Sequence, residues 1–238
     1  MFSQLTLWLS PLFGLMSSGA LALLGIVLWR GELCAGQHSR ISQHLASVWI
    51  FAALALLLAG SRDAAIGLLV SGALAVFGGL ALSVMQSRLE GKRSLPSLWW
   101  WAPGLPLAVF ALQLATLQGW GLALSQALLL GAVLAHLILL RARHRLQAFN
   151  LLLPLLGLLG AMLGLLWLAV LILRAADTAH LATLAPWVIG YCLVLLVGLL
   201  TWFSPLLLRR DSAPVVASSS MVLLLLSQCM ASWLFGLI

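Results

Sequence analysis

The side chains of this 238-residue chain that could do chemistry are few and far apart. Its five carboxylates, Glu32, Asp63, Glu90, Asp177 and Asp211, all fall between long apolar runs or at their margins. That placement gives no support to a proton relay, a two-carboxylate hydrolytic site or an acidic metal cage. Cys34, Cys192 and Cys229 form no CxxC or Cys/His spacing, so neither a disulfide framework nor a zinc or iron-sulfur centre is indicated. His136 is the one histidine deep within an apolar run. A bis-histidine haem would need a second ligand at comparable depth, and His38, His44, His144 and His180 lie in or beside loops. What remains for His136 is a hydrogen bond to a neutral ligand such as a quinone carbonyl, or a structural role. Ser17, Gln113, Ser125, Gln126, Ser227 and Gln228 are the other interior polar groups, and each can bond between helices. Gly60-Ser61-Arg62-Asp63 reads as a tight turn with one compensated charge pair.

The elements that must position these residues are set by composition. Apolar residues make up 63% of the chain and charged ones 7%, against roughly a quarter charged in soluble domains. Apolar segments recur near 7–29, 45–60, 65–86, 98–117, 121–140, 150–173, 185–208 and 216–236, each close to the length that crosses about 30 Å of hydrocarbon. The sequence therefore predicts an all-α, polytopic transmembrane helical bundle of eight spans forming one domain over 1–238. The first segment lacks a basic stretch before its apolar core and a small-residue cleavage site after it, so it reads as a span and not a signal peptide.

Charge supplies an independent test of the count. Arg30, Arg40, Arg88, Lys92, Arg93, Arg141, Arg143, Arg145, Arg209 and Arg210 fall in alternate loops, whereas Arg62 and Arg174 fall in the others. This is the positive-inside pattern with both termini on the outer, periplasmic side. Merging 45–86 into one re-entrant hairpin would destroy it. The net charge of +7 comes from these clusters and forms no basic, aromatic-interleaved face for nucleic acid. Trp99-Trp100-Trp101 follows a basic loop and, with Trp29, Trp120, Trp187 and Trp202 near other span ends, reads as an interfacial belt. Ser18, Gly19 and Ala22, and Gly67, Gly72, Gly78 and Gly79, mark faces for close helix packing. The loops, including 30–44 and 87–97, are too short to fold as domains. No sequence repeat relates spans one to four to spans five to eight.

The order of features resembles the eight-span anchor subunits of the DMSO reductase type, which belong broadly with the anchors of molybdenum oxidoreductases and polysulfide reductase. The likeness is carried by Pro11-Leu-Phe-Gly14, Ser18-Gly19-Ala20 and Trp29-Arg30-Gly31 in the first span, Gly60-Ser61 after the second, and Leu226-Ser227-Gln228 through Phe235-Gly236 in the last. The resemblance implies a bacterial inner-membrane, multi-pass anchor that holds an iron-sulfur subunit and a molybdopterin catalytic subunit and exchanges electrons with menaquinone or ubiquinone. It places the quinone near the outer ends of spans two to four, where Ser61 and Arg62 are candidate contacts, with no metal on this chain and the lipid bilayer as its other partner; the interior residues Gln113 and His136, the latter on the fifth span near the inner surface, are further quinone candidates by residue type. Two departures stand out. Leu58 and Ala59 occupy the place where the family carries a histidine before the outer turn, and Ser227-Gln228-Cys229 replaces an acidic residue of its last span. The rival expectation is a transporter, or an assembly or structural subunit, with no redox role.

Overall fold

The computed structural model describes residues 2–31, 33–61, 64–89, 93–142, 147–174, 178–208 and 213–237. Apolar runs with no water to satisfy their backbone must close their hydrogen bonds internally, and every run does so as a helix. These are α1 (Phe2–Arg30), α2 (Ala35–His44), α3 (Ala46–Gly60), α4 (Ile66–Ser87), a 3-10 turn (Ser97–Trp100), α5 (Trp101–Gln118), α6 (Trp120–Arg141), α7 (Gln147–Arg174), α8 (Thr178–Leu207) and α9 (Pro214–Phe235). Among the described residues there is no strand. Eight stretches among the described residues are long and apolar enough to cross a membrane, matching the predicted spans to within a few residues except at the start of the second. All five acidic residues lie outside the described residues, each between two helices.

The segment 30–44, expected as a loop, instead carries α2. Its start is closed by Gln37, whose Oε1 accepts the Cys34 N–H at 3.3 Å, and Ser39, Ile41 and Ser42 turn inward. α2 then meets α3 at Leu45, which is fully buried. A polar helix that buries one short stripe carries no apolar run, which is why hydropathy passes over it.

The helices form two four-membered rings. In the first, α1 packs on α3 and α5, and α4 sits between α3 and α5; in the second, α6 packs on α7 and α9, and α8 sits between α7 and α9. α1 and α6 are the matching first helices of the two rings, and they join the rings by packing on each other. They run parallel, because Trp8 and Pro11 of α1 and Leu122 of α6 line one common cavity. The two halves thus repeat one topology in one orientation, as in duplications about an axis along the membrane normal. α6 is apolar all round and 83% of its span is buried, against 28% for α7 and 22% for α8, so α6 is the hub and α7 and α8 face lipid.

Lipid is as apolar as leucine, so helix association here depends on closeness of fit. At the α1–α6 seam the fit is backbone on backbone: a Cβ on Gly131 would stand 2.7 Å from the Gly19 carbonyl carbon, and one on Gly19 would overlap the Ala127 carbonyl oxygen. Ala22, expected on this face, is exposed, since contact follows Leu12, Met16, Gly19, Ala20 and Leu24. Elsewhere glycine makes room for tryptophan. Gly79 receives the Trp49 indole, Gly121 that of Trp167 and Gly157 that of Trp202. Trp29, Trp120 and Trp187 are exposed as a belt requires, but Trp100 and Trp202 are each 2% exposed and belong to the core. The rings are linked by a single residue, Gly119, whose φ of 95° lets α5 reverse into α6.

Candidate functional site

At the end of the molecule where α1 and α6 begin, the first ring opens into a cavity of about 700 Å³. Its walls come from Trp8, Ser10 and Pro11 of α1, from the end of α3 and start of α4, from the last two turns of α5, and from Ser232 and Phe235 of α9. The space exists because the α3–α4 side is built of Ala59, Ala64, Ala65 and Gly67. The second ring carries Trp167 against Gly121, beside the Leu122 that borders the cavity.

The polar wall is uncharged among the described residues and organised around one hydroxyl. Gln118 Nε2 and Gln126 Nε2 each donate to Ser232 Oγ at 2.9 Å, and Ser232 Oγ donates to the Gln228 carbonyl at 3.0 Å. A serine has one proton and two lone pairs, so this hydroxyl is fully used and its orientation fixes both amides: nitrogen toward Ser232, oxygen away. Three helices from both rings therefore meet at one atom. The amide oxygens of Gln113, Gln118 and Gln126 are buried with no hydrogen-bond partner among the described residues, and Gln113 and Gln118 line the cavity. Buried acceptors without donors are costly, of order 1–3 kcal/mol each, and a ligand bearing O–H or N–H groups relieves that cost. Ser10, also in the wall, is already engaged through its hydroxyl to the Ala55 carbonyl at 3.0 Å.

The four candidates from the sequence do not converge. Gln113 is in the cavity wall, where its Nε2 lies against Gly67 of α4. Ser61 is exposed at the end of α3, between the wall residues Ala59 and Ala64, with its hydroxyl donating to the Leu58 carbonyl at 2.8 Å. Arg62 lies outside the described residues. His136 is fourteen positions along α6 from Leu122, about 21 Å at 1.5 Å per residue, near the opposite end of the bundle.

His136 is 2% exposed and its Nδ1 accepts the Trp202 indole N–H at 2.7 Å. Accepting there leaves the ring proton on Nε2, so the neutral ring has no lone pair to offer iron while that bond stands. The geometry makes His136 a clasp between α6 and α8. The remaining interior polar groups also serve packing: Ser125 donates to the Gly160 carbonyl of α7 at 2.8 Å, while Ser17 and Ser227 bond back to their own helices.

With eight candidate spanning helices and an uncharged polar cavity among its described residues, the chain matches the model of an integral membrane domain over residues 9–235. The chain belongs to the integral membrane domain family. The match covers the two rings of this integral membrane domain from the second turn of α1 to the end of α9. No curated protein and no solved structure matches it.

Two polar residues of the cavity wall escape sequence reasoning. Gln118 sits one residue before the Gly119 turn and reads as loop, and Ser232 is one of several serines in the last span. The available signal is the spacing of Gln228 and Ser232, four apart on one helical face opposite the end of α5.

Proposed function

We propose that this integral membrane domain is the quinone-binding anchor of a multi-subunit oxidoreductase, holding iron-sulfur and molybdopterin subunits in a bacterial inner membrane. The observation that carries the reading is the cavity: headgroup-sized, uncharged, lined by amides and lying at the bundle end that carries few basic residues. Arg30, Arg88, Arg93 and Arg141 lie at the opposite ends of their helices or in the loops joining them there, and Arg40 lies within α2, which leads into α3 at that end. The positive-inside rule supports a cytoplasmic position for that basic end, and with it an outer-side position for the cavity and both termini. The amide oxygens of Gln113 and Gln118 are acceptors for the hydroxyls of a reduced quinol, and the neighbouring amide N–H of Gln113 suits the carbonyl of the oxidised form. The apolar helix faces around the opening suit an isoprenoid tail.

The chain supplies this complex with position, not with a redox centre. Gln113 and Gln118 would hold the ring at the outer end, where a bound quinol would supply two electrons to a partner's cluster and release its two protons to the outer water. Ser232 fixes the Gln118 amide and is a positioning residue. The test is purification in mild detergent with any co-purifying polypeptides, then titration with a short-chain quinol analogue. Iron-sulfur and molybdopterin polypeptides should accompany the chain, and Gln113→Leu should weaken analogue binding about tenfold, the value of one hydrogen bond of about 1.4 kcal/mol. Isolation as a lone stable bundle, with analogue binding unchanged by Gln113→Leu, would overturn the proposal.

A further inference from the structure

On the lipid side of the first ring, a groove of about 600 Å³ runs between α4 and the segment that opens α5. Its α4 wall is Leu74, Gly78 and Leu82, and its other wall includes Trp99, Ala102 and Pro106. Three properties say what covers it. The first is length: Leu74 to Leu82 is eight residues, about 12 Å. One leaflet of hydrocarbon is about 15 Å deep, half of the 30 Å a partner helix would need to lie along. The groove has the reach of one acyl chain in one leaflet. The second is its mouth, where Trp99 is 49% exposed and stands at the interface. Indole rings favour that level of the bilayer.

The third is charge placed by a buried device. Gln86, fully buried at the end of α4, accepts the Leu95 N–H on its Oε1 at 2.8 Å and donates from Nε2 to the Arg93 carbonyl at 3.3 Å. That double clasp holds the backbone at Arg93 against the end of α4, whose C-cap is Arg88. Both arginines are exposed. Residues 93–95 are thus drawn in against the end of α4 beside the groove, with Arg88 and Arg93 exposed there and Trp99 in the groove wall.

We infer that this groove holds an acyl chain of an anionic phospholipid, with Arg88 and Arg93 meeting its phosphate. The inference is independent of the quinone reading, since it concerns the opposite end and the outer surface of the first ring. The partner is the bilayer lipid itself, chosen by headgroup charge and by a chain that fills Leu74 to Leu82. Such a lipid would add to the direct α4–α5 packing, which at Gly78 meets Pro103.

Contact quenching tests this in vesicles. The protein is reconstituted into phosphatidylcholine with increasing phosphatidylglycerol brominated along its acyl chains, or with brominated phosphatidylcholine. Because the chain has 11 Trp, the Trp99 signal is the difference from Trp99→Phe. Wild type should show Trp99 quenched at several-fold lower mole fraction of the anionic lipid. Arg88→Gln and Arg93→Gln should each shift the midpoint about fivefold toward the neutral lipid, the fold-change of about 1 kcal/mol per interfacial cation. Ala102→Phe fills the groove from its exposed side and should abolish the preference while the protein stays monodisperse. Equal quenching by the two lipids, or a preference that survives either the arginine pair or Ala102→Phe, overturns the proposal.

Discussion

Glycine-to-alanine exchange should change sign between two positions of this bundle, and the α1–α6 seam sets the size of the difference. Inside a helix the exchange alone is worth about 0.5–1 kcal/mol in favour of alanine. At Gly67 of α4 the new methyl finds only Gln113 Nε2, at 3.8 Å, which is ordinary contact. Gly67 is the second residue of α4, where propensity counts least, so Gly67→Ala should stabilise by about 0.5 kcal/mol at most. At Gly131 the methyl would lie 2.7–2.9 Å from the Gly19 and Ala20 backbone, about 0.7 Å inside normal contact, and no rotamer change moves a backbone. The two helices must part by that amount along a seam that supplies most of the contact between the rings. A gap of about 0.5–1 Å forfeits a quarter to a half of each affected dispersion contact, and overpacking of this kind costs about 1–3 kcal/mol. Net of propensity, Gly131→Ala should destabilise by about 1–2 kcal/mol. The measurement is the midpoint of a reversible denaturing-detergent titration in mixed micelles, followed by tryptophan emission, for both variants beside wild type. If Gly131→Ala matched Gly67→Ala, the seam would not be closed by backbone contact and the account of how the rings join would fail.

Three further outcomes follow from single side chains. Trp202→Phe keeps the ring that fills the notch at Gly157 but removes the donor to His136 Nδ1, and should lower the same midpoint by about 0.6–1.7 kcal/mol, the range for hydrogen bonds within membrane bundles; an unchanged midpoint would show that the clasp holds nothing. Gln86→Leu frees the Leu95 N–H and the Arg93 carbonyl, so limited proteolysis after Arg93 should speed up about 5- to 150-fold for a loss of about 1–3 kcal/mol in local closure, with cleavage elsewhere unaffected. Ser232→Ala leaves two amide donors of different helices without their shared acceptor and should destabilise by about 1–3 kcal/mol; Gln126→Leu in the Ser232→Ala background should add much less than it does alone, which a double-mutant cycle would read directly.

The spans were legible because a bilayer imposes one length on every helix and the alternation of Arg30, Arg40 and Arg88 with Arg62 fixes their number. Depth was less legible. Trp100 and Trp202 stand near span ends exactly as belt residues do, and only the facing glycines and the bundle interior show that they are core. The cavity is legible only in hindsight, since Ala59, Ala64, Ala65 and Gly67 announce it by what they lack, and small residues in membrane helices usually mean contact. The repeated ring topology left no sequence trace because the packing chemistry is exchanged between equivalent pairs: Trp49 on α3 enters Gly79 on α4, whereas Trp202 on α8 enters Gly157 on α7. Such swaps keep the fit and erase the alignment. Gln113 is legible because it lies inside the apolar run of the fourth span; Gln118 is not, because Gly119 beside it makes its surroundings read as a turn.

Gly119 has a consequence for how the molecule is made. The first ring is complete at Gln118, while α6 needs 22 more residues, about 1–4 s of synthesis at about 5–20 residues per second. During that interval the Gly19 face of α1 is bare, and it is a face shaped for a parallel helix, including one from a neighbouring nascent chain. A tether of one residue holds the chain's own α6 beside that face at an effective concentration in or above the millimolar range, far beyond what other chains in the membrane can offer. Lengthening the link would dilute the rightful partner, so the tight reversal at Gly119 acts as an assembly guide as well as a turn.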